Sequence, residues 1–155
     1  MATQIAVIGA GRASPALMGR AARVGRLLAE AGCTVVCGGL GGVMEAVARG
    51  AREAGGTTIG IVPGESRLEA NKWIEHTIVT GIGHARNLAV VASGDAIVAI
   101  GGEWGTLAEI GLARKLGRPV IVLEPGWQLE GDGITRAATP EEAVGTALAL
   151  ARQNA

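Results

Sequence analysis

Three glycine-rich stretches hold most of the chemistry available to this chain of 155 residues: Gly9-Ala10-Gly11-Arg12-Ala13-Ser14, Gly38-Gly39-Leu40-Gly41-Gly42 and Gly101-Gly102-Glu103-Trp104-Gly105-Thr106. Each follows a short apolar run and opens a helical pattern. Glycine there lets backbone N–H groups approach a ligand closely, while the following helix points its partially positive N-terminus at the same spot. A phosphate is the group such loops are built to hold. The second stretch is the most pointed, with four glycines in five residues leading straight into Val43-Met44-Glu45. The third adds a carboxylate, Glu103, and an indole, Trp104, either of which can face a ligand; Trp104 can equally cover the end of the core.

Two further side chains have chemistry worth placing. Arg86 opens a helix after the turn Thr80-Gly81-Ile82-Gly83-His84-Ala85, where its planar fork can bind phosphate oxygens or a ring nitrogen. Glu109 sits in Thr106-Leu107-Ala108-Glu109, which reads either as a capping box or as a carboxylate facing the ligand. His84 could assist a phosphate when protonated, whereas His76 lies in a strand-like run and reads as structural.

The first glycine loop is close to a dinucleotide fingerprint but has Ser14 where a third small residue is expected. The second strand ends Val36-Cys37-Gly38-Gly39, without the acidic residue that would bind ribose hydroxyls, so NAD binding is disfavoured.

The elements that must position these residues follow from the apolar pattern. Strand-like runs occur at 4–8, 33–37, 57–62, 76–79, 96–100 and 119–123, several nearly continuous, as in a sheet buried on both faces. Helical patterns fall at 15–31, 43–54, 85–92, 106–116 and 140–152, the last announced by Thr139-Pro140 and Glu142 as cap, first residue and box partner. The alternation predicts one α/β domain over 1–155, a Rossmann-like three-layer sandwich with a mostly parallel sheet and helices on both faces. Residues 63–73, with Pro63-Gly64 and several charges, read as a surface excursion at the sheet edge and a candidate lid.

Composition narrows the classes of partner. Fourteen basic residues balance fourteen acidic ones, and Phe and Tyr are absent, so neither a global positive field nor stacking platforms favour nucleic acid. No run approaches the roughly 20 apolar residues of a membrane span, so a soluble, cytoplasmic protein is expected, without a membrane partner. Cys33 and Cys37 form neither a disulfide framework nor a complete zinc site; both read as reduced core residues and no metal site is expected.

Taken together, Gly38 to Met44, Gly60-Ile61-Val62-Pro63-Gly64, Gly83-His84-Ala85-Arg86-Asn87 and Gly102-Glu103-Trp104-Gly105-Thr106-Leu107-Ala108-Glu109 resemble the Lonely Guy-like superfamily, once described as lysine decarboxylases. The resemblance spans almost the whole chain. It is greatest to the branch with the molybdenum cofactor carrier proteins, on Gly55 to Gly60 and Thr80 to Arg86. It implies a phosphate-bearing small-molecule ligand, a nucleotide or the molybdenum cofactor, and assembly as a homodimer or homotetramer, for which the apolar helix 85–92 could supply an interface. By the same resemblance, Lonely Guy enzymes cleave nucleoside monophosphates to free base and ribose phosphate, with Arg86 and Glu109 at the matching catalytic positions. Ligand-binding residues would be Gly9, Gly11, Arg12, Gly38, Gly39, Gly41, Gly42, Met44, Arg86, Asn87, Gly101, Gly102, Glu103, Trp104, Gly105 and Thr106. This chain departs from the enzyme motif at Gly101, Glu103, Gly83 and Asn87, where proline, glycine, methionine and lysine are usual. The expectation is therefore a binding or carrier protein first and a nucleoside monophosphate phosphoribohydrolase second. Decarboxylation is disfavoured, since no PLP-binding constellation is evident and no resident cofactor is implied.

Overall fold

The structure is a computed structural model and describes residues 1–154. Among the described residues seven strands and five α-helices follow in the order β1 (Gln4–Gly9), α1 (Pro15–Glu30), β2 (Thr34–Cys37), α2 (Val43–Glu53), β3 (Thr58–Val62), β4 (His76–Val79), α3 (Arg86–Ala92), β5 (Ala96–Ile100), α4 (Trp104–Lys115), β6 (Val120–Leu123), β7 (Ile134–Ala137) and α5 (Pro140–Gln153). All strands run parallel in one sheet, in the order β4-β3-β2-β1-β5-β6-β7. The chain winds outward from β1 in one direction, then returns to pair β5 on the other side of β1. That reversal leaves a crevice beyond the carboxyl ends of β1 and β5, the place where open α/β sheets bind ligands.

The continuous apolar runs are explained by helices on both faces. Successive side chains of a strand point to opposite sides. Ile5 and Val7 of β1 therefore join Val35, Val98 and Ile121 in one core layer, under α1, α2 and α5. Ala6 and Ile8 join Val36, Ile97 and Val122 in the other, under α3 and α4. Buried side chains such as Leu28 and Ile97, both fully excluded from solvent, each contribute about 1.5–3 kcal/mol relative to exposure. The α1–α2 contact is closer than side chains allow. A Cβ at Gly25 would lie 2.0 Å from the Val47 carbonyl oxygen, and one at Gly50 would lie 1.9 Å from that of Ala22.

Three features differ from the sequence expectation. Strand β7 has no counterpart in it, because Ile134-Thr135-Arg136-Ala137 is a short edge strand with two exposed polar residues and no apolar alternation. Helix α4 begins at Trp104, so Thr106 lies inside the helix and the expected Thr106–Glu109 capping box does not form. The turn is completed earlier, by Gly101 (φ 58°) and Gly102 (φ 101°), and the Leu107 N–H already bonds the Glu103 carbonyl at 3.0 Å. Residues 63–73 are not a free lid. Asn71 fastens this excursion to the second glycine loop through its own N–H to the Gly39 carbonyl (2.8 Å) and its side-chain amide to the Leu40 carbonyl (2.8 Å).

Two other helix entrances are capped by side chains, and the expected box at α5 forms only in part. Ser14, the residue that breaks the dinucleotide fingerprint, caps α1 by accepting the Leu17 N–H. Thr139 caps α5, while Glu142 turns back to the Ala138 N–H rather than to that of Thr139. No helix among the described residues is long and apolar enough to cross a membrane.

Candidate functional site

Residue-by-residue pairing of β1 with β5, from Ile5 opposite Ala96 to Gly9 opposite Ile100, brings the two strands to an end at the same level. Their loops must then leave side by side. Between them lies a cavity of about 500 Å³ lined by Gly9, Ala10, Gly11, Arg12, Met44, His84, Glu103, Gly105, Thr106 and Glu109. Five segments thus converge on one crevice: the first and third glycine loops, the entrances of α2 and α4, and the turn before α3. Arg12 supplies the cationic side chain of the lining, His84 an imidazole, and Glu103 and Glu109 the carboxyl groups.

The second glycine loop stands behind this cavity. Gly42, at φ 65°, lets the chain turn so that the Val43 N–H reaches the Ala10 carbonyl at 2.9 Å, clamping the α2 entrance to the first loop. Gly38 and Gly39 are buried and Gly41 is half-buried; of this stretch and its helix, Met44 is the residue that reaches the lining. Gly38 makes room for a different group, because a Cβ there would lie 2.8 Å from a terminal nitrogen of Arg86.

Arg86 is buried, with 8% of its surface exposed. Its guanidinium contacts the Asn87 side-chain oxygen and lies 3.5 Å from the Gly38 carbonyl, and its Nε is buried with no partner. An unmatched charged donor of this kind is costly in a protein interior unless something answers it. Glu109, 9% exposed, provides the nearby negative charge and opens onto the cavity. Burial pushes the Glu109 carboxyl up to about 7, and the field of Arg86 works against that rise. Burial likewise lowers the Arg86 pKa, opposed by Glu109. Released from any capping role, Glu109 is a carboxyl that changes protonation near neutral pH at the floor of a ligand-sized cavity. Such a group can accept or donate a proton in that range.

The third loop places its two conspicuous side chains on different sides. Glu103 belongs to the cavity, whereas Trp104 leans outward, 76% exposed, with its ring 5.5 Å from that of Trp127 at 49°. Trp104 therefore does not cover the core. The Trp127 indole N–H donates to the Glu103 carbonyl at 3.3 Å, holding the third loop against the β6–β7 connection.

Of the site residues expected from the sequence, the structure gathers Gly9, Gly11, Arg12, Met44, Glu103, Gly105, Thr106 and Glu109 around one cavity. Arg86 and Asn87 stand behind it, Gly101 and Gly102 form the turn beneath α4, and Gly38, Gly39, Gly41 and Gly42 form the scaffold between. Ala10 joins the lining without a signal in the sequence beyond its place between two glycines, and His84 takes a larger place than its sequence context suggested. His76 is exposed on edge strand β4, away from this lining. Cys33 and Cys37 are free and buried, and burial pushes the Cys37 thiol up to about 11, so it stays a protonated core side chain.

Comparison with known proteins agrees with this layout. The chain is 45% identical over 141 residues to an uncharacterised protein of Archaeoglobus fulgidus, covering 91% of each chain. Its fold superimposes on the molybdenum cofactor binding protein of Rippkaea orientalis with a TM-score of 0.91 at 34% identity, covering 97% of this chain and 98% of that one. The molybdenum cofactor carrier protein of Chlamydomonas reinhardtii gives 0.90 at 33% identity, again over 97% and 98%. The model of the SLOG cluster4 family matches residues 2–152, and the chain belongs to that family, within the Lonely Guy-like superfamily that its motifs resemble.

Proposed function

We propose that this protein binds and carries a phosphate-bearing, nucleotide-like ligand in the crevice between β1 and β5, and that the ligand is a pterin phosphate of the molybdenum cofactor type. The carrying observation is the convergence of two glycine loops, two helix entrances and Arg12 on one cavity of about 500 Å³, within the 300–1,000 Å³ usual for small-molecule sites. Likeness over nearly the full chain to two proteins that bind or carry this cofactor supports the choice of ligand. Backbone N–H groups of Gly11 and Arg12 and the Arg12 side chain would take the phosphate. The unpartnered Nε of Arg86 fits a buried positive floor for an anionic ligand, and Gly38, Gly39, Gly41, Gly42 and Asn87 would hold that floor in place.

The experiment is to incubate the protein with molybdenum cofactor, separate bound from free by gel filtration, and measure molybdenum in the protein fraction. Retention near one per chain that Arg12→Gln and Arg86→Ala both reduce supports the reading; no retention ends it.

One observation favours a second reading, a phosphoribohydrolase acting on nucleoside monophosphates: Glu109 is free of the helix cap, faces the cavity and titrates near neutrality. In that case Glu109 orients water or stabilises the cation-like sugar while Arg86 steadies the nucleotide. Release of free base by wild-type protein and not by Glu109→Ala is its signature, and absence of release from a panel of monophosphates removes it.

The protein in this reading is cytoplasmic and works as a homodimer or homotetramer. Ile78 and Val79 on edge strand β4, with Ile82 and Leu88 before and in α3, are each at least 40% exposed and supply the apolar surface that a second copy would cover. Sedimentation as a monomer at micromolar concentration would contradict this.

A further inference from the structure

A second recess lies beyond the tryptophan pair, on the same carboxyl edge of the sheet. It encloses about 390 Å³ and is lined by Arg20 of α1, by Glu124, Trp127 and Gln128 after β6, by Arg136 of β7 and by Ala138. It shares no lining residue with the glycine-loop cavity. The wall between them is the third loop, with Glu103 on one side and Trp127 on the other, joined by the indole N–H bond to the Glu103 carbonyl.

The charges of this recess are unevenly matched. Glu124 is held by Arg136 at 2.7 Å, and neighbouring Glu141 is held by Arg23 at 2.8 Å. Glu142 is turned to the Ala138 backbone N–H. Arg20 has no carboxylate within ion-pair distance among the described residues, although its charge helps hold the Glu141 carboxyl low: one terminal nitrogen donates to the Ala138 carbonyl, and its Nε is buried with no hydrogen-bond partner. A guanidinium is always charged and presents five donors in a rigid fork, so Arg20 has donors left over for an acceptor with several oxygens.

We infer that this recess is a second anion site, which takes the phosphate group of a small molecule through the Arg20 guanidinium, against the Trp127 ring and beside Arg136. The lining itself carries two arginines against one glutamate, so an entering anion meets the Arg20 and Arg136 guanidiniums first. Arg136 needs only to share its fork between Glu124 and the anion, while Arg20 gains the partner its Nε lacks. The inference is independent of the ligand assigned to the glycine-loop cavity.

The probe is inorganic phosphate, titrated at constant ionic strength into ¹⁵N-labelled protein while the Trp127 indole N–H resonance is followed. Saturable movement of that resonance is expected. Arg20→Gln should weaken its midpoint by roughly tenfold or more, the loss expected when a charge-assisted hydrogen bond is removed, and leave any shift at the Gly11 amide unchanged. Arg20→Lys keeps the charge and guards against a folding defect; it should retain part of the affinity if the amide spectrum is intact. A Trp127 resonance that stays still up to tens of millimolar phosphate would overturn the inference. So would a midpoint that Arg20→Gln, still folded, does not change.

Discussion

Glu109→Gln separates the electrostatic cost of the buried carboxylate from the shape of its side chain. In the unfolded chain this group ionises near its ordinary value of 4.5, whereas in the folded protein burial lifts it to about 7. Folded protein therefore binds the Glu109 proton more tightly than the unfolded chain does. Its contribution to stability is full below 4.5 and is lost as pH rises through about 7. Each pH unit across that window is worth about 1.4 kcal/mol, which makes the whole loss on the order of 3 kcal/mol. Glutamine carries no such term. Urea unfolding of both proteins at pH 5, 6, 7 and 8 should show the variant gaining on the wild type by up to about 3 kcal/mol across the series. For a domain of this size that corresponds to roughly 6–12 °C in melting temperature. Two pH–stability curves that run parallel within about 0.5 kcal/mol would refute the reasoning, because they would mean that Glu109 ionises alike in both states.

Further expectations follow from other contacts. Gly50→Ala puts a methyl 1.9 Å from the Ala22 carbonyl oxygen and should cost about 1–3 kcal/mol or more by forcing α1 and α2 apart, measured by urea unfolding. Gly145→Ala, in open space on α5, should instead be neutral or slightly stabilising in the same assay. A thiol reagent at pH 8 should label neither Cys33 nor Cys37 in native protein and both once urea unfolds it, since both are buried with raised pKa values. Leu88→Glu should shift sedimentation toward the monomer without lowering monomer stability, because Leu88 is 45% exposed within the chain.

How far the sequence carried these results depends on whether the signal was local. Continuous apolar runs in β1, β5 and β6 announce a sheet covered on both faces, and the structure buries them under two helical layers. Ile134-Thr135-Arg136-Ala137 gives no such signal, because an edge strand is specified by its partner β6 rather than by its own pattern. Glycine loops after β1 and β5 were legible as neighbours at the carboxyl edge of the sheet, since their place between strand and helix brings both to one cavity. The second loop has the same local pattern, yet Asn71 and Ala10 occupy its groups from far along the chain. Thr106-Leu107-Ala108-Glu109 fits a capping box in sequence, but Gly101 and Gly102 start the helix two residues earlier and free Glu109 for the cavity. Burial of Arg86 depends on the room left at Gly38, and the upward shift of Glu109 on its own burial against the opposing field of Arg86, both of which only the assembled fold reveals.

The most direct test of the central assignment is a crystal structure of the protein grown with molybdenum cofactor. The assignment predicts ligand density between β1 and β5, with the phosphate beside Gly9 to Arg12 and the rest of the molecule reaching toward Glu103 and Glu109. Density for the cofactor elsewhere on the protein, with this crevice filled only by water, would contradict it.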